Sequence, residues 1–497
     1  MSPVLVLSVI AGYFVVLLLI SYFTSRNATS QTFFTANRSS PWYLVAFGMI
    51  GASLSGVTFI SVPGEVGNSQ FSYFQVVLGY VPGYAFIALV LMPLYYRLNL
   101  VSIYGYLERR FGFWSYKTGA FYFLLSRLIG SSFRLFLVAG VLQIALFDSF
   151  GVPFWVTVMV TIILIWMYTF RGGIKTIVWT DTLQTLFMLL SVAISIFLIG
   201  QELDLSVGEM ISTVENRKIS QIFFWDWASA NNFFKQFISG AFIAIVMTGL
   251  DQDMMQKNLT CKNLGEAQKN VKWFTVTLVF VNLMFLTLGA LLFLYADAKG
   301  IAIPERTDDL YPMLAVNHFD TYAGIIFLLG IVAAAYSSAD SALTALTTSF
   351  CVDFLGQGND RAETRAEKGK DISKAVRMRV HVMFSVLLFF VILIFNAIND
   401  DSVIVAVFKV AGYTYGPLLG LYSYGLYTKL KANDRFVPYV CLLAPVISFL
   451  LDSNSEFLFN GFKFGFFILI VNGALTFIGL LLISKGKVDK DHLQKVS

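Results

Sequence analysis

The chain has 497 residues, of which 57% are hydrophobic and only 13% charged, with a mean hydropathy of +0.72 and a formal net charge of +5. So little charge excludes an ordinary soluble domain of this length, and so small a net charge gives no reason to expect a nucleic-acid partner. Apolar runs of about 20 residues, roughly one bilayer thickness each, recur from end to end. They are continuous rather than alternating, which predicts membrane helices and not a β-barrel.

The first run, Val4–Tyr22, opens almost at Met1 with neither a basic leader nor a small-residue cleavage site, so it is expected to be a retained helix rather than a signal peptide. The second span reads LVAFGMIGASLSGVTFISVPGEVG and sets Gly48, Gly51, Gly56, Pro63 and Gly64 among Ser53, Ser55 and Thr58. Glycine costs about 1 kcal/mol in a helix interior and proline about 3, so this helix is expected to unwind near its middle. Broken helices are tolerated at membrane depth where they line a cavity, and their freed carbonyls coordinate cations. Close packing through small residues is the alternative use of the same positions. Glu65, just after Pro63, reads as part of an outer gate.

Further along, SRLIGSSFRLFLVAG carries Arg127 and Arg134 on one face. An arginine at that depth can hold a substrate carboxylate in bidentate fashion; the alternatives are that Arg134 pairs with an internal acid and that Arg127 snorkels. The segment 201–232 is long enough for a short helix and a partial lid. The seventh span, SGAFIAIVMTGLDQDMMQK, offers a second break at Thr248-Gly249. It lies five spans after the first, and an odd offset gives opposite orientation, as an inverted repeat requires. In the ninth span, AAAYSSADSALTALTTSF buries hydroxyls and an aspartate, and an intramembrane ionisable residue is a functional hypothesis by default. Residues 337, 340, 341, 344 and 348 share one helix face. The loop 353–375 reads as a solvated linker, Lys409 as a snorkelling side chain, and no segment resembles a nucleotide-binding loop.

Thirteen spans fit, centred near residues 13, 53, 85, 132, 161, 188, 244, 285, 337, 387, 415, 445 and 475. With the N-terminus outside and the C-terminus inside, 26 of the 35 basic residues fall at cytoplasmic ends, Lys257 among them, and six at outer ends. That is the positive-inside asymmetry. Cys261, Cys351 and Cys441 fit no metal or disulfide spacing. His318, His381 and His492 lie at span edges or in the tail, which favours sodium over protons as the driving ion.

With those residues in view, the chain resembles the sodium/solute symporter family, whose core is the leucine-transporter fold. The resemblance is carried by ASLSGVTFISVPG (52–64), SIYGYLERRFG (102–112), YTFRGGIKTIVWTDTLQT (168–185), TGLDQDMMQKNLTCKNLGEAQ (248–268), VAAAYSSADSALTALTTSFCVDF (332–354) and GYTYGPLLG (412–420). It implies a sodium site formed by the carbonyls of Gly51, Leu54 and Ala334 and the hydroxyls of Ser337 and Ser338. Some members hold a second sodium, whose ligands map to Asp181, Ser337, Asp340 and Ser341. Asp340 departs from the hydroxyl expected there. It sets two carboxylates near one cation, so that either sodium binds more strongly or one acid is protonated or paired with a base when the ion is absent. The resemblance places polar substrate contacts at Ser53, Ser55 and Thr58, with Gln75 and Thr248 as further candidates. Sialic-acid-transporting relatives carry an arginine near Arg134, at the position of Gly130, and sugar-transporting relatives an aromatic where this chain has Met247.

The expectation is therefore an all-α polytopic protein of the plasma membrane, or of the inner membrane in a bacterium, with no enzymatic activity. An extra N-terminal helix (1–24) precedes the first repeat (40–200) and the second inverted repeat (233–430). Two C-terminal helices (436–484) and a cytoplasmic tail (485–497) follow. Its function is expected to be sodium-coupled import of a small organic solute by alternating access, with two sodium ions and an acidic sugar such as a sialic acid, by a monomer. The rivals are a neutral sugar or proline-like substrate, a proton-coupled carrier and a membrane sensor.

Overall fold

The computed structural model describes residues 3–25, 40–100, 102–355, 374–398 and 402–487, without the side chains of 168–176. Arg26, Arg38, the side chains of Arg171 and Lys175, the linker 356–373, His492 and the tail beyond 487 lie outside that description. Helix α1 (Pro3–Ser25) precedes α2 (Trp42–Ser53), α3 (Gly56–Ser69), α4 (Tyr73–Arg97), α5 (Phe113–Leu142) and α6 (Phe154–Glu202). Then come α7 (Phe233–Gly249), α8 (Gln252–Asn258), α9 (Leu264–Ala298), α10 (Thr321–Ser349) and α11 (Lys374–Ile398). The chain closes with α12 (Val403–Thr414), α13 (Gly416–Tyr427), α14 (Val437–Ser453) and α15 (Ile468–Leu482). Two short antiparallel strands, Leu430–Ala432 and Ser484–Lys487, join the ends of α13 and α15.

Among the described residues nine helices are long and apolar enough to cross a membrane, and twelve spans result if each of three bent helix pairs counts as one. These coincide with twelve of the thirteen expected centres. The remaining centre, residue 161, falls in Phe154–Met167, which is apolar but shorter than a span. The turn expected between the spans at 161 and 188 is absent from the backbone, because α6 is helical over 49 residues. Gly172 and Gly173 do not stop it, as two glycines cost only about 1 kcal/mol each. The outward surface is apolar: Leu442, Leu443, Val446, Ile447, Phe449 and Leu450 of α14 are all exposed, as lipid-facing side chains are.

The three bent pairs have identifiable causes. Between α2 and α3 the axis turns by 54°. Leu54 leaves the helical region (φ −82°, ψ 75°) and Ser55 is extended before Gly56 restarts the helix. Between α7 and α8 the turn is 72°, and Asp251 is extended, its carboxylate accepting from the backbone N–H of Asp253 (3.0 Å) and Met254 (3.2 Å) as an N-cap. The break thus falls at Leu250-Asp251, just past the Thr248-Gly249 expected. The third bend, 47° between α12 and α13, comes at Tyr415 before Gly416-Pro417, where proline cannot donate to the preceding turn.

Close packing around the first break depends on glycine. A Cβ on Gly51 would overlap the Thr185 hydroxyl of α6, and one on Gly48 would lie 3.3 Å from the Asp181 Cβ. Both expected uses of the small residues hold together: α2 unwinds, and it unwinds against α6. Helix α10 packs along α6 as well, and it is buried on every side from Gly330 to Ser349, so that Ser337, Asp340, Ser341, Thr344 and Thr348 are all enclosed.

Candidate functional site

A cavity of about 70 Å³ lies where the two breaks meet α5 and α12, smaller than the roughly 300–1,000 Å³ of an open small-molecule site. Ser53, Ser55 and Thr58 from the first break line it, with Arg134 of α5 and Thr248 of α7. Tyr73, Tyr80, Tyr84, Met247 and Phe408 add apolar wall. Asn282 of α9 also lines it; its Nδ2 donates to Leu278 O at 2.8 Å while its Oδ1 has no hydrogen-bond partner. A lone asparagine in an apolar span gave no sequence signal that it faced the cavity. Arg134 donates to the Ser338 hydroxyl at 3.2 Å, and its Nε has no hydrogen-bond partner among the described residues. No carboxylate lies within 4 Å of it among the described residues, so the expected alternative of an internal acid partner is not what is seen.

The proposed ligands of the first sodium converge on the same region. Gly51 and Leu54 end α2, whose C-terminal carbonyls carry the negative end of the helix dipole. Helix α10 passes beside this end and supplies Ala334, Ser337 and Ser338, all at most 1% exposed. Carbonyl and hydroxyl dipoles can replace the water of a hard monovalent cation without adding a fixed charge.

The proposed second position looks different. Ser337 Oγ donates to Asp181 Oδ1 at 2.6 Å, and Asp181 and Ser341 are joined through the Lys257 ammonium. Lys257 Nζ donates to Asp181 Oδ2 and to Ser341 Oγ, both at 2.9 Å. Asp340, wholly buried, lies within electrostatic reach of Lys257 and of Tyr13 on α1. Lys257 was counted among the cytoplasmic-end cations, yet the residue is 1% exposed.

The cavity is bounded by two unlike ends. Beyond Arg127, the α5 guanidinium pairs with Asp253 and lies 3.9 Å from Asp251, while Tyr415 Oη donates to Asp251 Oδ2 at 2.7 Å. The Tyr104 and Tyr95 hydroxyls donate to the carbonyls of Leu250 and Gly249 (2.9 and 2.8 Å), tying down the α7–α8 break. Arg127 therefore does not snorkel. At the opposite end Asp308, in the 3-10 turn Thr307–Asp309, accepts from Ser61 Oγ and from the Val403 backbone N–H, each at 2.9 Å. Glu65 accepts from Ser402 Oγ at 2.8 Å. Burial pushes the Asp308 carboxyl up to about 6, against the two hydrogen bonds that favour its charged form.

Two expectations fall elsewhere. Gln75 does not line the cavity: its amide donates to Ser72 O and Asn231 O and accepts from Phe224 N (3.2, 2.9 and 3.3 Å), pinning the 201–232 segment to α4. That segment does contain a short helix, Val207–Glu215, with Ser206 and Glu209 forming a capping box. Lys409 is exposed, as expected for a snorkelling residue. His381 is buried within α11 beside Thr347, at 3.1 Å, rather than at a span edge.

A model of the sodium:solute symporter family matches residues 33–435. The sodium/sialic acid symporter NanT of Aliivibrio fischeri is 24% identical over 489 residues, covering 96% of this chain and 92% of that protein. The sodium/sialic acid symporter SiaT of Proteus mirabilis is 23% identical over 479 residues, covering 94% of each. Among solved structures, a substrate-bound outward-open sodium-coupled sialic acid symporter superposes with a TM-score of 0.79, at 19% identity, over 97% of this chain and 99% of that one. A nucleobase-cation-symport-1 family transporter in a closed conformation with bromovinylhydantoin bound gives 0.56 at 13% identity, over 94% and 99%. At these identities the structural likeness speaks for the fold, which is of the leucine-transporter type.

Proposed function

This chain belongs to the sodium:solute symporter family and is a multi-pass membrane protein that moves a small organic solute with sodium; from that premise we propose that the solute is an acidic sugar of the sialic-acid kind, imported by alternating access. The observation that carries the substrate class is Arg134, a cavity-lining guanidinium whose one hydrogen bond among the described residues goes to a serine hydroxyl. A substrate carboxylate supplies the bidentate partner that the protein itself withholds. Ser53, Ser55, Thr58 and Thr248 offer hydroxyls for the rest of the polar solute, and the neighbouring tyrosines give it an apolar face. The two sialic acid symporters above support the same class. A neutral sugar leaves the charge of Arg134 unanswered; proline would meet it with a carboxylate but has no hydroxyls for Ser53, Ser55, Thr58 and Thr248.

Sodium belongs at the first site, at the carbonyls of Gly51, Leu54 and Ala334 and the hydroxyls of Ser337 and Ser338. There Arg134 couples the two cargoes, because it donates to Ser338, one of the sodium ligands. While Arg134 lacks a carboxylate, its positive charge opposes sodium at the shared hydroxyl; once a substrate carboxylate neutralises it, sodium binds better. By linkage, sodium then strengthens substrate binding by the same factor. With Phe154–Met167 counted as the thirteenth span, the charge asymmetry of the loops puts the Asp251–Arg127 end inside and the Asp308 end outside, with the N-terminus out and the C-terminus in. One chain supplies every group, so a monomer suffices. The two broken pairs, α2–α3 and α7–α8, are read as corresponding elements of the repeats 40–200 and 233–430.

The test is thermal stabilisation of the purified protein by sialic acids, neutral sugars and proline, in sodium and in potassium. Sialic acid is expected to stabilise only with sodium, and Arg134→Ala to lose about 1.5–3 kcal/mol of that binding, the worth of a hydrogen bond to a charged group. Stabilisation by a neutral solute, unaffected in Arg134→Ala, would contradict the acidic-sugar reading.

A further inference from the structure

The second cation position holds a cation already, and it is covalently part of the chain. Lys257 comes from α8, the inner half of the second broken pair, and reaches across to α6 and α10. Its ammonium donates to Asp181 Oδ2 and Ser341 Oγ, two of the oxygens expected to ligate a second sodium. Ser337, the hydroxyl common to both expected sites, is turned toward Asp181 by its own hydrogen bond. The lysine side chain is 2% exposed and the Asp181 side chain 1%, so the pair is closed off from water and each charge relies on the other.

We infer that Lys257 is a tethered replacement for the second sodium, and that the transporter couples solute to a single exchangeable sodium at the first site. The inference rests on the proposed sodium symport. A free sodium and the ammonium cannot share Asp181 and Ser341, since both cations need the same lone pairs and repel each other. The tethered ion differs from sodium in one mechanical respect. It cannot dissociate into the cytoplasm; it leaves Asp181 and Ser341 only if α8 moves away from α6 and α10. Alternating access thus breaks and remakes this contact once per cycle without releasing an ion. Asp340 gains a role: it is the second carboxylate beside the tethered charge, and it keeps the pocket attractive to a cation when the ammonium withdraws.

The experiment is equilibrium binding of radioactive sodium to the purified full-length protein, with choline as the replacing cation and no solute present, which separates this inference from the identity of the substrate. Wild type is expected to saturate at about one sodium per chain with a Hill coefficient near 1. Lys257→Ala leaves Asp181, Asp340, Ser337 and Ser341 around an empty position and is expected to bind about two. Lys257→Arg keeps the tethered charge and stays at one. Two sodium ions bound by wild type would overturn the inference, and that measurement needs no variant to fold. One sodium bound by a folded Lys257→Ala would overturn it too, because the lysine would then only brace the helices. Absence of any sodium binding would overturn the symport reading itself.

Discussion

The two ends of the cavity close by different chemistry. At the Asp251 end a buried arginine, two aspartates and three tyrosine hydroxyls hold α4, α5, the α12–α13 bend and the α7–α8 break together. At the Asp308 end the closure is made of single hydrogen bonds from Ser61, Ser402 and the Val403 backbone, beside stacked Tyr73 and Phe408 rings 6.2 Å apart. Buried ion pairs cost much to separate because each charge loses a partner and regains water only when the gap is wide. The Glu65–Ser402 bond is half-buried and exchanges more readily for water, and Asp308, though buried, is held by two hydrogen bonds and no ion pair among the described residues. In the orientation proposed above, the difference assigns a high threshold to the inner opening and a low one to the outer.

The largest effect that can break this comparison is at Arg127. Arg127→Ala strands Asp251 and Asp253 in the interior and should destabilise the closed inner end by about 3–5 kcal/mol. Thiol-reagent labelling of cysteines placed at the inner mouth should then rise even without solute. Unchanged labelling would mean that the ion pairs are not the inner lock.

A smaller effect should appear at the other end as a pH dependence. The Asp308 carboxyl is raised from 3.8 to about 6 where it is buried, so the closed outer end binds its proton more tightly than an opened, hydrated one. Closure is therefore favoured as pH falls through 6 and saturates near the ordinary carboxylate value, a window worth at most about 3 kcal/mol at 1.36 kcal/mol per unit. Above pH 7 both states are ionised and the dependence vanishes. Outer-mouth labelling between pH 7 and 5, divided at each pH by that of a permanently exposed cysteine to remove the thiol's own titration, should fall in wild type and stay flat in Asp308→Asn; a slope retained by the variant would place the titrating group elsewhere.

The sequence carried the first break and the burial of the α10 hydroxyls and Asp340, because each rests on local composition. Ser53, Ser55, Thr58, Arg134 and Thr248 do meet in one cavity for the same reason: broken helices and an intramembrane arginine have few other uses. What was not legible depends on direction. Lys257 sits beyond a break, and a break resets the helical face, so periodicity could not say whether the lysine pointed to the cytoplasm or to Asp181. Arg127, Asp251 and Asp253 were obscured likewise, since pairing across α5 and α8 needs the bend angle. Gln75 shows the reverse error: a buried amide near a cavity was taken for a ligand group, when the lid backbone needed it more. The unbroken α6 shows that a pair of glycines is too weak a signal to end a helix.

The central claim is that sodium at the α2 break and an acidic solute on Arg134 travel together. It is tested most directly by uptake of radiolabelled sialic acid into proteoliposomes containing the purified protein. An inward sodium gradient should drive accumulation above the outside concentration, lost when potassium replaces sodium or when a sodium ionophore collapses the gradient. Accumulation that persists without sodium, or that follows a proton gradient instead, would contradict the account.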